Sequence, residues 1–300
     1  MSPNSSFGCI SSCRRGAEVR HVDLSPSGSP AVGLAYGPIV DPLLDRYPDC
    51  VDYVEIPFEQ IRHRPSSLAI AEQIPVLLHC STMSVAGFVP PPLGTLEAIA
   101  GIAAQTRTPW IGEHLAFISA DPLESDGDSA APTELTYTAC PQLSEETIER
   151  VGANLDRLRQ HFTIPIILEN SPQYFAIPGS TMQMPSFIAE VSRRWNVDLL
   201  LDVTHFLITT RNMGLDLLNS AQQLPLERVV EVHLSGMSMQ SGRWWDDHAA
   251  LVPEAAFEFL TAISDRIQPK AVTFEYNWAP ELPHRTVLDQ LARIRQMLGS

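Results

Sequence analysis

The chain has 300 residues, of which 44% are hydrophobic and 18% charged, and its formal net charge is −15. That length suits one large domain with a full core or two ordinary ones. The acidic balance argues against nucleic acid, whose phosphates are held by clustered Lys and Arg, and no apolar run reaches the roughly 18 residues of a membrane span.

Residues 1–30 are polar and Ser-rich. They read as a disordered arm without a signal-type apolar stretch, so the cytoplasm is the expected location. Its Cys9 and Cys13 are read as incidental. The five cysteines include no C-x-x-C pair, so neither a disulfide framework nor a zinc ribbon is indicated.

Eight short apolar runs follow: Ala31–Tyr36, Val51–Ile56, Ile74–Cys80, Pro109–Phe117, Thr163–Asn170, Asp198–Val203, Val229–Gly236 and Ala271–Asn277. They are mostly apolar on both faces, as parallel strands covered by helices should be. Between them lie segments of helical period, such as Ile148, Val151, Leu155, Leu158 and Phe162, and later Val287, Leu288, Leu291 and Ile294. Residues 120–142 read as a long acidic loop. Eight strands alternating with helices predict an α/β fold, a single (β/α)8 TIM-type barrel over residues 31–300. An open doubly wound sheet would call for a Gly-rich fingerprint after the first strand, and none is there.

The strands stop being apolar at one end. His79, Glu113, His114, Glu169, Asn170, Asp202, His205, His233 and Glu275 fall there, with Glu55 and Glu59 after the second strand and Asp246, Asp247 and His248 in the loop after the seventh. Parallel strands point one way, so these residues converge on the C-terminal mouth, where barrels keep their sites. One buried imidazole or carboxylate is commonly a satisfied core group; ten at one end need a counter-charge. Imidazoles mixed with carboxylates, with no obligatory thiolate, suit iron, manganese or zinc, and so many ligands suit two or three ions.

Glu113 is expected to face the other side of its strand, in a salt bridge or as support. Glu55 and Glu59 are expected to accept from the N–H groups of ligand histidines. Cys80 is read as core, Asp247 as solvated, and His21, His63, His161 and His284 as surface. Trp244 and Trp245 either floor a substrate groove or pack the loop.

The segments VEIPFEQ, LLHC, GEHLAF, ILEN, LLLDVTH, EVHLSG, the pair Asp246 and His248, and FEYN occur in that order. Together they resemble the multinuclear non-heme iron-dependent oxidative enzymes, the family of MbnB and TglH, over about Val32 to Trp278. The resemblance implies three adjacent metal positions. His79 and His114 would hold the first, with Glu169 bridging to the second; Asp202, His233 and Glu275 would complete the second; Asn170, His205, Asp246 and His248 would hold the third. Glu169, Asp202 and His233 would carry the catalysis. The sequence departs from the family pattern at Glu59-Gln60, at the turn after His79 and at Gly33-Leu34-Ala35, which bears on the substrate.

The implied cofactor is iron, two or three ions of mixed Fe(II)/Fe(III) valence, with O2 as co-substrate. The implied reaction is oxidative modification of a ribosomally synthesised precursor peptide, at cysteine or at aspartate. A small leader-recognition protein is the expected partner, because no appended domain is seen here to present the peptide. Two other readings compete: a divalent-metal barrel acting as sugar isomerase or phosphodiester hydrolase, and a non-catalytic partner in a peptide-modifying complex.

Overall fold

The computed structural model describes residues 28–120, 133–276 and 282–299. The arm expected over residues 1–30 lies outside them except for Gly28 to Pro30, as do His21, Asn277 and Trp278.

The chain runs β1 (Ala31–Ala35), α1 (Val40–Arg46), β2 (Tyr53–Pro57), α2 (Phe58–His63), β3 (Val76–Cys80), α3 (Leu93–Thr106) and β4 (Ile111–His114). Next come β5 (Phe117–Ala120), β6 (Thr133–Ala139), α4 (Glu145–Leu158), β7 (Ile166–Glu169), α5 (Met184–Trp195), β8 (Leu199–Asp202), α6 (Val203–Met213) and α7 (Leu217–Ala221). The last part is β9 (Val229–Leu234), β10 (Met237–Gln240), β11 (Arg243–Asp246), α8 (Glu254–Ile263), β12 (Ala271–Phe274) and α9 (His284–Met297). Strands β1, β2, β3, β4, β7, β8, β9 and β12 close into a parallel barrel, each beside its neighbour in the series and β1 beside β12. This is the (β/α)8 barrel expected from the eight apolar runs. No helix among the described residues is long and apolar enough to cross a membrane.

Side chains alternate across a strand, so each barrel strand serves two cores. Outward residues such as Val32, Val54, Leu78, Leu168, Leu201, Val232 and Phe274 pack under the helices. Ile148, Val151, Leu155 and Leu158 of α4 meet them from the other side. Ser144 caps α4 by accepting from Thr147 N at 3.3 Å, and Glu145 and Glu146 complement the positive end of the helix. The inward residues Ala31, Tyr53, Leu77, Trp110, Ile167, Leu200 and Ala271 form a separate plug inside the barrel.

Two predicted loops contain strands. Strand β4 stops at His114, and Phe117 opens an antiparallel ribbon, β5 with β6, whose second strand lies within the 120–142 span expected as a long acidic loop. The alternating, β-branched TELTYTA run of β6 favours that pairing. The connection after β9 likewise folds into the ribbon β10–β11. His205 belongs to the first turn of α6 rather than to a strand. Glu275 lies just beyond β12, where its N–H still donates to Leu234 O at 3.0 Å.

Candidate metal centre

The site is the next layer of the same alternation. Moving two residues along each strand, about 6.6 Å, converts Tyr53 into Glu55, Leu77 into His79, Ile167 into Glu169 and Leu200 into Asp202. On β9 the step runs from Glu231 to His233. At β4, Trp110 just before the strand is followed by Gly112 and then His114. Register sets His114 beside Glu169 and Asp202 beside His233. Gly112 has a steric reason: a Cβ there would lie 2.8 Å from His79 Cδ2 and 3.1 Å from Leu200 Cδ1.

Glu169 is the hub. Its Oε2 lies 2.8 Å from His79 Nε2 and 3.3 Å from His114 Nε2, and its Oε1 lies 3.0 Å from His205 Nδ1. The chain of contacts continues through His205 Nε2 to Asp246 Oδ2 at 3.4 Å and from there to His248 Nε2 at 2.8 Å. Glu275 Oε2 closes it, 3.6 Å from both His248 Nε2 and His233 Nδ1. Asp202 is divided between two tasks. Its Oδ1 accepts from His205 N at 2.6 Å, capping α6, while the buried Oδ2 has no hydrogen-bond partner among the described residues.

The protonation states of the metal-free cluster follow from this crowding. Burial disfavours charge on His79, but the Glu169 hydrogen bond and the nearby carboxylates prevail and push it up to about 9. His248 is opposed by burial and pushed up to about 10 by Glu275 and Asp246. Burial raises Glu55 and Asp202 to about 7. It would raise Glu169 as well, but the three imidazoles hold that carboxyl well below the usual range. His114, in contrast, is lowered by burial. In this cluster protons stand where cations would.

Five triads have ligand atoms within 4.8 Å of one another, among them His79, Glu169 and His233; His205, Asp246 and His248; and Asp202, His233 and Glu275. Two buried atoms without hydrogen bonds among the described residues, Asp202 Oδ2 and His233 Nδ1, fall in the last of these. Orphaned buried acceptors are costly, and a cation between them would satisfy both. The residues present therefore fit a metal, and the mixture of nitrogen and oxygen donors fits a transition metal.

Nine of the ten expected ligands present a nitrogen or carboxylate oxygen to this cluster. Asn170 is buried beside them, but its side-chain amide is engaged with the Asp202 backbone, donating to O and accepting from N, each at 2.9 Å. The supporting glutamates divide. Glu55 faces His233 Nε2 at 3.2 Å, as expected. Glu59 does not orient an imidazole; it accepts from Ser81 N at 2.9 Å and from the Thr82 hydroxyl, holding the turn after β3. Of the two expected readings of Glu113, a salt bridge or support, the described residues show the second. Glu113 is fully buried and accepts from the Met83 and His114 amides at 3.0 Å, and burial keeps its carboxyl well above the usual range. Cys80 is core, as expected. His284 packs edge-on against Tyr47. Sequence reasoning missed Glu231, a fully buried carboxylate 3.6 Å from His233 Nε2. Its position two residues before a ligand histidine on the same strand face was the available signal.

A cavity of about 470 Å³ opens over the cluster. Its walls include Tyr137 and Thr138 of β6, and Tyr174 stacked on Trp245 of β11 with centroids 4.3 Å apart. Among the described residues lining it there is no Lys or Arg. The two tryptophans do different things. Trp245 lines the cavity, while Trp244 packs under Arg211 and exchanges backbone hydrogen bonds with the Asn212 amide.

The family profile for RiPP precursor modification enzyme MbnB/TglH/ChrH, RiPPs being ribosomally made and then modified peptides, matches residues 31–299. Among curated relatives, a UPF0276 protein of Caulobacter vibrioides is 28% identical over 237 residues, covering 77% of this chain and 81% of that one. A UPF0276 protein of Chromobacterium violaceum is 26% identical, covering 85% and 90%. Another, from Streptomyces avermitilis, is 28% identical over 83% of this chain, which spans about half (51%) of that relative's length. Two solved structures share the fold at low identity. Endonuclease IV from Thermus thermophilus has a TM-score of 0.53 at 14% identity, covering 90% of this chain and 99% of that one. D-psicose 3-epimerase from Clostridium cellulolyticum has a TM-score of 0.51 at 13% identity, covering 89% and 99%.

Proposed function

Because the chain belongs to the MbnB/TglH/ChrH family of RiPP precursor modification enzymes, we propose that it is an iron-dependent oxidoreductase acting on a ribosomally synthesised precursor peptide. The modified residue is cysteine foremost, or aspartate. The observation that carries this reading is Glu169, whose Oε2 meets His79 and His114 of the first position while the same carboxylate shares a close triad with Asp202 of the second and with His205. One carboxylate so placed can serve two cations.

Two or three iron ions of mixed Fe(II)/Fe(III) valence, with O2 as co-substrate, would supply the redox and Lewis-acid chemistry. His79, His114 and Glu169 would hold one; Glu169, Asp202, His233 and Glu275 a second; His205, Asp246 and His248 a third. Asn170 supports the third group by fixing the Asp202 backbone, and its own carbonyl O lies 3.0 Å from His205 Nδ1. Tyr174, Trp245 and Tyr137 offer flat apolar walls that would orient a peptide and limit water around the reacting side chain. The absence of Lys and Arg from the described lining favours this over hydrolysis of a phosphodiester, which would bring phosphate charge against Glu59 and Asp246. A small protein presenting the peptide's leader completes the proposal.

The test is reconstitution of the full chain with Fe(II) under anaerobic conditions, followed by O2 and the precursor peptide encoded beside its gene. The expected result is oxygen uptake with a mass change on the peptide, and neither with zinc-loaded protein. Full anaerobic turnover with zinc or manganese alone would overturn the oxidase reading.

A further inference from the structure

His233 is held differently from two other imidazoles of the cluster. His114 turns Nδ1 to Cys80 O at 3.4 Å and presents Nε2 to Glu169. His205 sets Nδ1 against both Asn170 O and Glu169 Oε1, each at 3.0 Å, and presents Nε2 to Asp246. In both, a backbone carbonyl takes the Nδ1 side. His233 reverses this. Its Nε2 faces two carboxylates, Glu55 Oε2 at 3.2 Å and Glu231 Oε1 at 3.6 Å. Its Nδ1 has no hydrogen bond among the described residues and lies toward Glu275.

Glu231 is not free to turn away. Trp110 Nε1 donates to its Oε2 at 2.7 Å, and the Thr273 hydroxyl donates to its Oε1 at 2.9 Å. Because the Thr273 proton points to Glu231, the Tyr53 hydroxyl 2.8 Å away must be the donor to Thr273. Every donor in this relay thus runs toward Glu231, from β2, β12 and the residue preceding β4. All four side chains are buried, with Glu231, Tyr53 and Thr273 at 0% exposure. A carboxylate with so many donors aimed at it is an oriented acceptor at the floor of the site.

A neutral imidazole carries one N–H and one lone pair. Two carboxylate acceptors on Nε2, the nearer at 3.2 Å, outweigh the single Glu275 oxygen 3.6 Å from Nδ1, so the N–H belongs on Nε2 and the lone pair on Nδ1. We propose that Glu231, with Glu55, is a positioning residue that keeps the His233 hydrogen on Nε2 and delivers Nδ1 as the metal-binding atom, alongside Asp202 and Glu275. This rests on the reading of His233 as a metal ligand and adds which atom binds and what selects it. Such outer partners fix tautomer and ring orientation, and losing one commonly costs about 10- to 100-fold in metal affinity.

The experiment uses the full chain with ¹⁵N-labelled histidine, loaded with diamagnetic zinc. Long-range ¹H–¹⁵N spectra of the parent, assigned through a His233→Gln variant, should show a metal-bound Nδ1 and a protonated Nε2. A metal-bound Nε2 on His233 would overturn the proposal while leaving the metal reading intact. A parent chain that binds neither zinc nor iron would overturn both. Glu231→Gln keeps the volume and a carbonyl acceptor but removes the charge. It should bind the ion at Asp202, His233 and Glu275 about 10- to 100-fold more weakly, while His205, Asp246 and His248 bind as in the parent. Parent affinity at all positions in folded Glu231→Gln would overturn the role of Glu231. The parent spectrum decides the binding atom even if this variant fails to fold.

Discussion

The barrel interior contains two neighbouring layers with opposite chemistry. The lower is a largely apolar plug of Tyr53, Leu77, Trp110, Ile167 and Leu200, with Glu231 of β9 as its charged exception. The upper, two residues further along the same strands, is Glu55, His79, Glu169 and Asp202. Both layers are buried and share one backbone, yet the lower repays burial by packing while the upper costs free energy until its charges are balanced. Their proximity teaches that the plug is what can hold the upper layer. Rigid strands anchored by a packed core hold ligand atoms to within about 0.5 Å, which loops alone do not do.

The largest effect should come from breaking the upper layer at its hub. Glu169→Ala removes contacts to three imidazoles, so anaerobically loaded protein should lose more than one ion per chain and turnover should fall by at least about 100-fold. His248→Ala should lose about one ion and keep the rest. Elemental analysis of both variants checks the contrast, and equal losses would mean that Glu169 is not shared.

Breaking the lower layer should cost stability instead. Leu200→Ala empties part of the plug and should lower unfolding free energy by about 2–5 kcal/mol, with metal stoichiometry unchanged in the folded protein. Denaturant titration alongside metal analysis separates the two. A lost ion would show that the layers are not independent.

Gly112→Ala sharpens the comparison because its new methyl group meets both layers, His79 above and Leu200 below. Overpacking of this kind costs about 1–3 kcal/mol, and displacement of His79 should weaken the first metal position as well. Calorimetry and metal titration should therefore both move, unlike in Leu200→Ala.

The smallest expected effect is on pH dependence. In the metal-free protein His79 and His248 are raised to about 9 and about 10, above the ~6.5 of an unfolded histidine. Their stabilisation is complete below about pH 6.5 and is lost as pH climbs through 9 and 10. Glu55 and Asp202, raised to about 7, act in the same direction between their unfolded values and pH 7. The melting temperature of metal-free protein should thus drop from mildly acidic to alkaline pH. Metal affinity should rise over the same range, because cations replace protons. A flat melting profile would contradict the proton-filled cluster.

The legible part of the site was the part written as pattern. His79, Glu169, Asp202 and His233 each interrupt an apolar strand, and a carboxylate or imidazole in such a run announces itself. Glu113 and Glu59 were equally visible as residues but not in their partners, which are backbone amides of the turn after β3, at Met83 and Ser81. Asn170 carries the same lesson: its partner is the backbone of Asp202, 32 positions away. The ribbons β5–β6 and β10–β11 escaped notice since their strands are short, polar at the edges and paired only with each other.

By itself the sequence determined the eightfold alternation, the direction of the strands and the set of side chains gathered at their ends, because periodicity 2 in strands and 3.6 in helices is a local property. Only the tertiary structure decided which atoms meet. Closure of β1 on β12 and the register of each pair set Glu231 under His233, Trp110 against Glu231, and Glu169 between His79 and His205. Those contacts join residues 36 to 121 positions apart or sit at i and i+2 on a face whose depth depends on closure. A local pattern does not encode register, and register is what turns ten polar strand ends into one connected cluster.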